Sequence, residues 1–168
     1  MRKLMTTVAA IVVAGSVLVA TGAAVDVPTS YQGIAPVRVD GNPDCKDLTG
    51  WVDPNRTYST QLRFVSPVNG TSAAGINVAL AANVAVGTGI GWYVSPELAE
   101  SRDMRAVIVK GGSSANVYFY PARPATGADF VDGSMTTPGT LQKGTWKFPA
   151  LGSMTFCYFP GAYVPPGA

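Results

Sequence analysis

The chain has 168 residues, of which only 13% are charged, and it contains 19 glycines, 13 prolines and no histidine. This length is enough for one domain with a substantial core, and the composition is typical of an all-β domain with many turns. The absence of histidine excludes the common Ser-His and Cys-His catalytic arrangements and histidine-ligated metal sites. We predict no metal and no cofactor.

Residues 1–24 have the pattern of a secretory signal peptide. Arg2 and Lys3 form a positive start, an apolar stretch follows, and Thr21-Gly-Ala-Ala24 supplies small residues for cleavage. A membrane-spanning helix is the alternative, because the apolar stretch approaches the roughly 20 residues that cross a bilayer. No basic stop-transfer segment follows it, so we expect a secreted protein, extracellular or on the cell surface, with no membrane association after cleavage.

Cleavage would leave a protein without net charge. The full chain has 12 basic and 10 acidic residues, and Arg2 and Lys3 leave with the signal peptide, so ten of each remain. Neutral charge without a cluster of Lys and Arg argues against nucleic acid or an anionic membrane as a partner. It also removes an electrostatic barrier to self-association.

Residues 25–44, with Pro28 and Pro36, predict an extended N-terminal arm. Such an arm either covers a sheet edge of its own domain, which is the commoner outcome, or adds a strand to the sheet of a neighbour. The segment Asp40-Gly-Asn-Pro-Asp44 is spaced like the opening of a calcium loop, but Cys45 stands where that loop needs glycine. We interpret it as a turn in which Asp and Asn side chains bond to the backbone.

Two cysteines, Cys45 and Cys157, remain in a chain that we expect to meet an oxidising environment. One disulfide between them is the simplest prediction, and it would tie the start of the domain to its last strand. A zinc site is the alternative, but two thiols without histidine do not complete a zinc coordination shell.

The middle of the chain predicts short strands separated by turns. Thr57–Val65 alternates with Tyr58, Leu62 and Phe64 on one face, and Asn69-Gly70 marks a tight reversal. Ala73–Val86 is Ala-rich and could form a helix by propensity. However, apolar residues repeat at period two within it, so we predict one or two strands.

The next segment predicts a bend, a strand and a helix in succession. Gly87-Thr-Gly-Ile-Gly91 is a flexible bend and lacks the residues of a phosphate-binding loop. Trp92–Val94 is a short strand. Ser95 caps a helix of at most two turns near Pro96–Ser101, with proline at its first position.

The clearest local signal is a β-hairpin over residues 106–120, where two runs of β-branched and aromatic residues flank Gly-Gly-Ser-Ser. Gly111 and Gly112 suit the turn because they adopt positive φ without a Cβ clash. Alternation along the strands assigns the side chains to two faces: Val107 and Val109 against Ala106, Ile108 and Lys110, then Val117 and Phe119 against Asn116, Tyr118 and Tyr120.

Pro121–Pro138 predicts a long polar connection after the hairpin, followed by strands at Thr145–Phe148 and Ser153–Phe159 and a Pro/Gly-rich tail at 161–168. The fold prediction is therefore all-β: a single antiparallel β-sandwich, jelly-roll or Ig-like, over residues 45–160. It carries one short helix and one disulfide.

The hairpin and the last strand together carry a resemblance. Arg105–Tyr120 holds the pattern Val-Lys-Gly-Gly-x-x-Ala-Asn-x-Tyr-x-Tyr, and Met154–Tyr158 holds Phe-Cys-Tyr. Both resemble a domain of bacterial secreted and surface proteins, in which an earlier cysteine accompanies the closing one. That family commonly has Ser-His before the closing strand, where this chain has Gly152-Ser153. It has no established activity, so the resemblance implies an extracellular β-domain, supports the Cys45–Cys157 pairing and transfers no site residues.

The sequence favours a protein that is not an enzyme. The carboxylates available for acid–base chemistry are Glu97, Glu100, Asp103, Asp129 and Asp132. The two glutamates lie three apart on the predicted helix, where a solvated face is the usual role. Lys110 could act as a nucleophile or base, but nothing near it in sequence would activate it. A lysine that keeps a strand end soluble is more common.

Aromatic residues are the better candidates for binding. Trp51, Trp92, Tyr93 and Trp146 could contact a glycan or a protein partner if several are exposed together. The alternative for each is burial in the core, since Tyr and Trp bury large areas while needing one polar partner.

The sequence thus predicts a secreted or cell-surface structural or adhesive domain, with self-assembly into extracellular fibres or layers as its sharper form. Its partners would be other copies of itself, another extracellular protein or a glycan. A carbohydrate-binding module that uses exposed aromatics is the alternative function. A hydrolase that uses acidic residues is the third hypothesis.

Overall fold

The computed structural model describes residues 28–48, 60–65, 72–73, 75–80, 87–95, 102–120 and 131–160. The strands are Val37–Asp40 (β1), Thr60–Val65 (β2), Ser72–Ala73 (β3), Ile76–Leu80 (β4), Ile90–Val94 (β5), Arg102–Gly111 (β6), Ser114–Phe119 (β7), Val131–Met135 (β8), Thr140–Gln142 (β9), Thr145–Lys147 (β10) and Leu151–Pro160 (β11). A 3-10 helix covers Cys45–Leu48.

The strands form two larger sheets and a separate hairpin. Sheet A has the order β1-β7-β6-β11-β2, sheet B has the order β3-β4-β5-β8, and β9 pairs with β10. Every strand pair among the described residues is antiparallel. The predicted all-β antiparallel sandwich is confirmed.

The main core lies between sheets A and B. The alternation of side chains along each strand sends every second residue inward, so both sheets contribute to one apolar layer. Its largest fully buried members include Trp92, Tyr118 and Phe156. Rings meet edge to face where Phe156 contacts Phe64 at 5.7 Å and Trp92 at 5.8 Å between centroids. Such pairs add about 0.5–1.5 kcal/mol beyond the area they bury.

A second, smaller core covers the outer face of sheet A. The 3-10 helix lies there and is held by the Cys45–Cys157 disulfide, which confirms the predicted cross-link. Leu48 is 1% exposed and packs with Ala106, Ile108 and Val117 from the outer face. Before the helix, the Asp44 and Asp47 carboxylates accept bonds from backbone N–H groups at 2.8–2.9 Å. Bonds from Asp side chains to the backbone are what the sequence predicts for this segment, whereas the short helix that follows was not predicted.

The hairpin that dominates the sequence is β6–β7, and its two predicted faces are confirmed. Val107, Val109 and Tyr118 belong to the main core, and Ala106 and Ile108 to the outer one. The turn differs in detail. Gly111 pairs with Ser114, which leaves Gly112 and Ser113 as a two-residue loop. Of these two only Gly112 has positive φ, +64°, the pattern of a type II′ turn.

Gly111 is therefore a strand residue, and glycine is needed there for another reason. A Cβ at this position would lie 2.6 Å from Thr137 Cβ and 3.1 Å from the Ala150 carbonyl oxygen. Replacing Gly111 with Ala is expected to destabilise the protein by about 1–3 kcal/mol, because the β6–β7 hairpin must shift away from these atoms. Chemical denaturation measures the loss.

Gly152→Ala is the matched control for this substitution. Gly152 lies on the neighbouring strand β11, and a Cβ there would contact only the Lys110 carbonyl oxygen, at 3.5 Å. That distance is an ordinary van der Waals contact, so the control should stay close to wild-type stability. Equal losses at both positions would contradict the steric explanation.

One strand lies within the segment where the sequence predicts a polar connection. Val131–Met135 forms β8, which pairs with β5 and borders sheet B, whereas Thr140–Gln142, which forms β9, lies beyond Pro138. The prediction of a connection through Pro138 is wrong for β8, because its sequence Val-Asp-Gly-Ser-Met has little strand propensity. The strand is fixed by tertiary hydrogen bonds described below.

Several predictions fall on residues outside the described part. These are the signal peptide at 1–24, the reversal at Asn69-Gly70, the segment 81–86, the short helix near Pro96–Ser101 and the tail at 161–168. Strands predicted within Ala73–Val86 and at Trp92–Val94, Thr145–Phe148 and Ser153–Phe159 are present as β4, β5, β10 and β11, with shifts at their ends.

Candidate functional site

Two residues of β7 and the residue that directly follows it hold the two sheets together. Asn116, Tyr118 and Tyr120 all point from sheet A toward β8 of sheet B. Asn116 Nδ2 donates to the Thr136 carbonyl at 3.0 Å, and Tyr118 Oη accepts from the Thr136 N–H at 2.9 Å. The Asn-x-Tyr-x-Tyr pattern therefore has a structural use, since it fastens the backbone that follows β8.

Tyr120 joins a buried hydrogen-bond network centred on Asp132. Its hydroxyl donates to Asp132 Oδ2 at 2.6 Å and accepts from Trp92 Nε1 at 3.2 Å. Asp132 Oδ1 also accepts from the N–H groups of Gln32, at 3.0 Å, and Gly133, at 2.8 Å. Asp132 is 1% exposed, so its carboxyl oxygens are satisfied by these three hydrogen bonds rather than by water.

The N-terminal segment closes the side of the sandwich where β7 and β8 face each other. The Tyr31 N–H donates to the Gly133 carbonyl at 2.7 Å, and Gln32 Nε2 donates to the Val131 carbonyl at 2.7 Å. A few residues later Val37–Asp40 pairs with β7 as β1. The segment thus runs from the edge of sheet B to the edge of sheet A within one chain, the first of the two predicted alternatives for the arm.

Burial changes the acidity of both inward-facing tyrosines. Desolvation raises the pKa of Tyr120 well above its usual value, and the adjacent Asp132 carboxylate raises it further. Desolvation also raises the pKa of Tyr118, although hydrogen bonds to Thr136 oppose the shift. Neither hydroxyl is prepared to act as a base at neutral pH, because both hold their protons more tightly than a tyrosine in water.

The raised tyrosine pKa values predict a loss of stability in alkali. Above about pH 10 the unfolded chain ionises these two tyrosines while the folded chain keeps them protonated, so the unfolded state binds fewer protons. Stability should be fully present below pH 10 and fall above it by up to about 1.4 kcal/mol per pH unit for each tyrosine. Denaturant unfolding between pH 9 and 11 measures the slope.

Tyr118→Phe should reduce this slope, since one of the two linked protons is removed. Tyr93→Phe is the control, because it removes a hydroxyl from a tyrosine that is 47% exposed. A slope that is unchanged in Tyr118→Phe would contradict the linkage.

The predicted contact aromatics do not form one surface. Trp92 is 1% exposed and belongs to the core, so its prediction as a ligand contact is wrong. Its indole N–H donates to the Tyr120 hydroxyl, and the two rings meet edge to face with centroids 5.5 Å apart. Trp51 lies outside the described residues. Tyr93 is half exposed on β5, whereas Trp146 is half buried on the β9–β10 hairpin.

Trp146 does take part in an aromatic cluster at the surface. Its ring stacks on Phe148 with centroids 5.9 Å apart and an interplanar angle of 18°. Gly139 packs closely against both rings. Neither Phe148 nor Tyr31, which is 80% exposed on the N-terminal segment, stands out in the sequence as a candidate contact residue.

A cleft of about 370 Å³ lies beside this cluster, between the tip of the β6–β7 hairpin and the β9–β10 hairpin. Its charged lining residues are Arg38 and Lys147, and Thr140, Gln142 and Phe148 also line it. The volume is at the lower end of the roughly 300–1,000 Å³ found for ligand pockets. The lining favours a polar ligand with hydroxyl or acidic groups.

The predicted acid–base candidates have structural partners where the structure describes them. Asp103 forms a buried ion pair with Arg105, in which Nη2 of Arg105 donates to Oδ2 of Asp103 at 2.9 Å and Nε lies 2.8 Å from Oδ1. Lys110 Nζ donates to the Gly41 carbonyl at 2.7 Å. Glu97, Glu100 and Asp129 lie outside the described part.

Over the described ranges, no three Cys, Asp or Glu side chains come together as a metal ion would require. No helix in this part of the protein has the length and apolar character needed to cross a membrane.

Neither a family model, nor a curated protein, nor a solved structure matches the chain. The resemblance to the bacterial secreted and surface domain therefore stays a hypothesis from the hairpin and closing-strand motifs.

Proposed function

We propose that the protein is a secreted or cell-surface domain without catalytic activity that acts as a structural or adhesive element. The observation that carries this proposal is that several reactive side chains in the described part of the chain are held in structural contacts. Asp132, Tyr120 and the Asp103–Arg105 pair are buried in contacts that join structural elements, and both cysteines are joined in the disulfide. Such groups stabilise the fold and have no access to a substrate.

Cross-linking and edge exposure support the same proposal. A disulfide between Cys45 and Cys157 suits a protein that works outside the cell, where it does not become reduced. Sheet A also presents β1 at its border, a four-residue strand with exposed Val37 and Arg38. Open sheet borders are the elements through which β-domains add strands to one another.

Electron microscopy of the secreted material tests the proposal, together with sedimentation of the purified chain that begins at Val25. Fibres, layers or concentration-dependent oligomers are the expected result. A protein retained inside the cell, or one that turns over a substrate, would contradict the proposed function. Deleting residues 25–38 is not a suitable test, because it would remove the bonds of Tyr31 and Gln32 to β8 and uncover a second sheet edge.

The cleft beside Trp146 and Phe148 favours carbohydrate binding as a second candidate function. Phe148, on which Trp146 stacks, lines the cleft together with Gln142 and Thr140, so an apolar face lies next to hydroxyl-binding groups. A glycan array combined with tryptophan fluorescence tests it, and Trp146→Ala should abolish any glycan-dependent fluorescence change. Trp92→Phe is the control, since the buried Trp92 cannot contact the ligand. Absence of binding across the array would count against this function.

A further inference from the structure

The border strand β1 has a defined set of free backbone groups. Gly111 and Ser114 face each other across the two-residue loop of the β6–β7 hairpin, so the N–H and C=O of Ser114 point toward β6. Asp40 is opposite Ser114 in the β1–β7 register, and it therefore lies at a position where the two strands exchange no hydrogen bonds.

The bond that follows β1 agrees with this assignment. The Gly41 N–H donates to the Ser113 carbonyl at 2.9 Å, one position beyond the Asp40–Ser114 pair. Hydrogen-bonded and non-bonded pairs alternate in an antiparallel ladder, so Val39 bonds β7 whereas Arg38 and Asp40 direct their N–H and C=O groups away from it. Both residues are exposed, and no described residue bonds to these four backbone groups.

The sequence of β1, Val-Arg-Val-Asp, is complementary to itself in the antiparallel direction. If two β1 strands pair about Val39, Arg38 of each copy lies opposite Asp40 of the other. These are the positions whose backbone groups point outward, so the same register gives four backbone hydrogen bonds and two Arg–Asp pairs on one face. Arg38 Nη1 donates to the Gly139 carbonyl of its own chain at 3.1 Å, and the other guanidinium N–H groups would serve the pair with Asp40.

We propose that β1 is the site at which two copies of this protein pair, edge to edge, through a two-fold symmetric β1–β1 ladder. The proposal rests on the structural function proposed above and names the interface that would serve it. We assign a second copy as the partner because one β1–β1 register both pairs the opposite charges and bonds the outward backbone groups of this four-residue strand. A strand border that resists pairing carries charges of one sign or a proline in its middle, whereas β1 alternates Arg38 with Asp40.

The interface is short, so the association is weak for a single pair. Contacts of this size fall below the roughly 1,200 Å² of stable complexes. A dissociation constant between about 10 µM and 1 mM is expected, and it should rise with salt because the two ion pairs are exposed. High local concentration at a cell surface would populate such a pair.

Asp40→Pro tests the hydrogen bonds of the proposed ladder. Proline removes the outward N–H of Asp40, which makes no bond to β7, so the fold is retained. Because each copy loses a donor, self-association measured by sedimentation equilibrium on the full mature chain should weaken more than about tenfold. Asp40→Ala is the matched control: it keeps the N–H and loses only the ion pairs, and should weaken association by a factor of about five or less.

A charge exchange tests the register independently. Asp40→Arg places two arginines opposite each other and Arg38→Asp two aspartates, so each single variant should weaken association about tenfold. The double variant Arg38→Asp/Asp40→Arg restores opposite charges in the same register and should recover most of the loss. Circular dichroism checks that each variant is folded.

The outcomes separate this proposal from the function on which it rests. If the wild-type chain associates and neither Asp40→Pro nor the charge exchange alters it, β1 is not the interface, although the structural function stands. If the wild-type chain stays monomeric up to about 1 mM, both the β1 ladder and the self-assembling form of the function are overturned.

Discussion

Replacing both Cys45 and Cys157 with alanine is expected to lower the free energy of unfolding by about 4–5 kcal/mol. The disulfide joins residues 112 positions apart, and a cross-link over so long a loop greatly restricts the unfolded chain. It also anchors the 3-10 helix on the outer face of sheet A. Guanidinium unfolding of the variant and of wild type, each with and without reductant, measures the effect.

The reductant provides the control for this prediction. Reduced wild type should approach the stability of the double variant, and the double variant should not respond to reductant. Leu48→Ala separates cross-linking from packing, because it keeps the disulfide and removes only a side chain that is 1% exposed; about 2–4 kcal/mol is expected from that change. A loss below about 1 kcal/mol on removing the disulfide would show that the outer core holds without it.

The sequence was sufficient to predict the features that depend on local pattern. Period-two alternation in β6 and β7 assigned Val107 and Ile108 to opposite faces, and the structure places them in the two separate cores. The pairing of Cys45 with Cys157 followed from there being only two thiols. In both cases a short stretch or a simple count limits the possible structures.

The features that the sequence did not reveal depend on contacts between distant residues. β8 has a weak strand sequence, and Ser134 within it has φ of 56°, yet it is held by Tyr118 and Tyr120 of sheet A and by Tyr31 and Gln32 of the N-terminal segment. Trp92 could not be assigned to core or surface, because its hydrogen-bond partner Tyr120 lies 28 residues further on. Strand formation at β8 is a tertiary effect.

The same contacts link the β6–β7 hairpin both to sheet B and to the position of β1. The hairpin residues Asn116, Tyr118 and Tyr120 join the sheets on their inner face. Meanwhile β7 presents its free border to β1, which leaves β1 as the outer strand of sheet A. The contacts between the two sheets thus fix the position of β1, the strand through which we propose that two copies pair.

Replacing Asp132 with alanine is expected to cost about 3–4 kcal/mol. The carboxylate accepts three hydrogen bonds, from the Tyr120 hydroxyl and from the N–H groups of Gln32 and Gly133, and its removal leaves these donors unpaired inside the protein. Both the sheet-to-sheet contact and the attachment of the N-terminal segment depend on this one side chain. Denaturant unfolding measures the total loss, and hydrogen exchange at Gln32 and Gly133 shows whether the segment opens first.

Asp132→Asn is the matched variant, because it preserves shape and one acceptor oxygen for the two backbone N–H groups. Its loss should be smaller, about 1–2 kcal/mol, since mainly the charge-assisted bond to Tyr120 changes. Combining it with Tyr120→Phe should give a loss clearly below the sum of the two single losses, because both variants break the same bond at 2.6 Å. Additive losses would mean that this bond does not couple the sheets, and the network would then be three independent contacts.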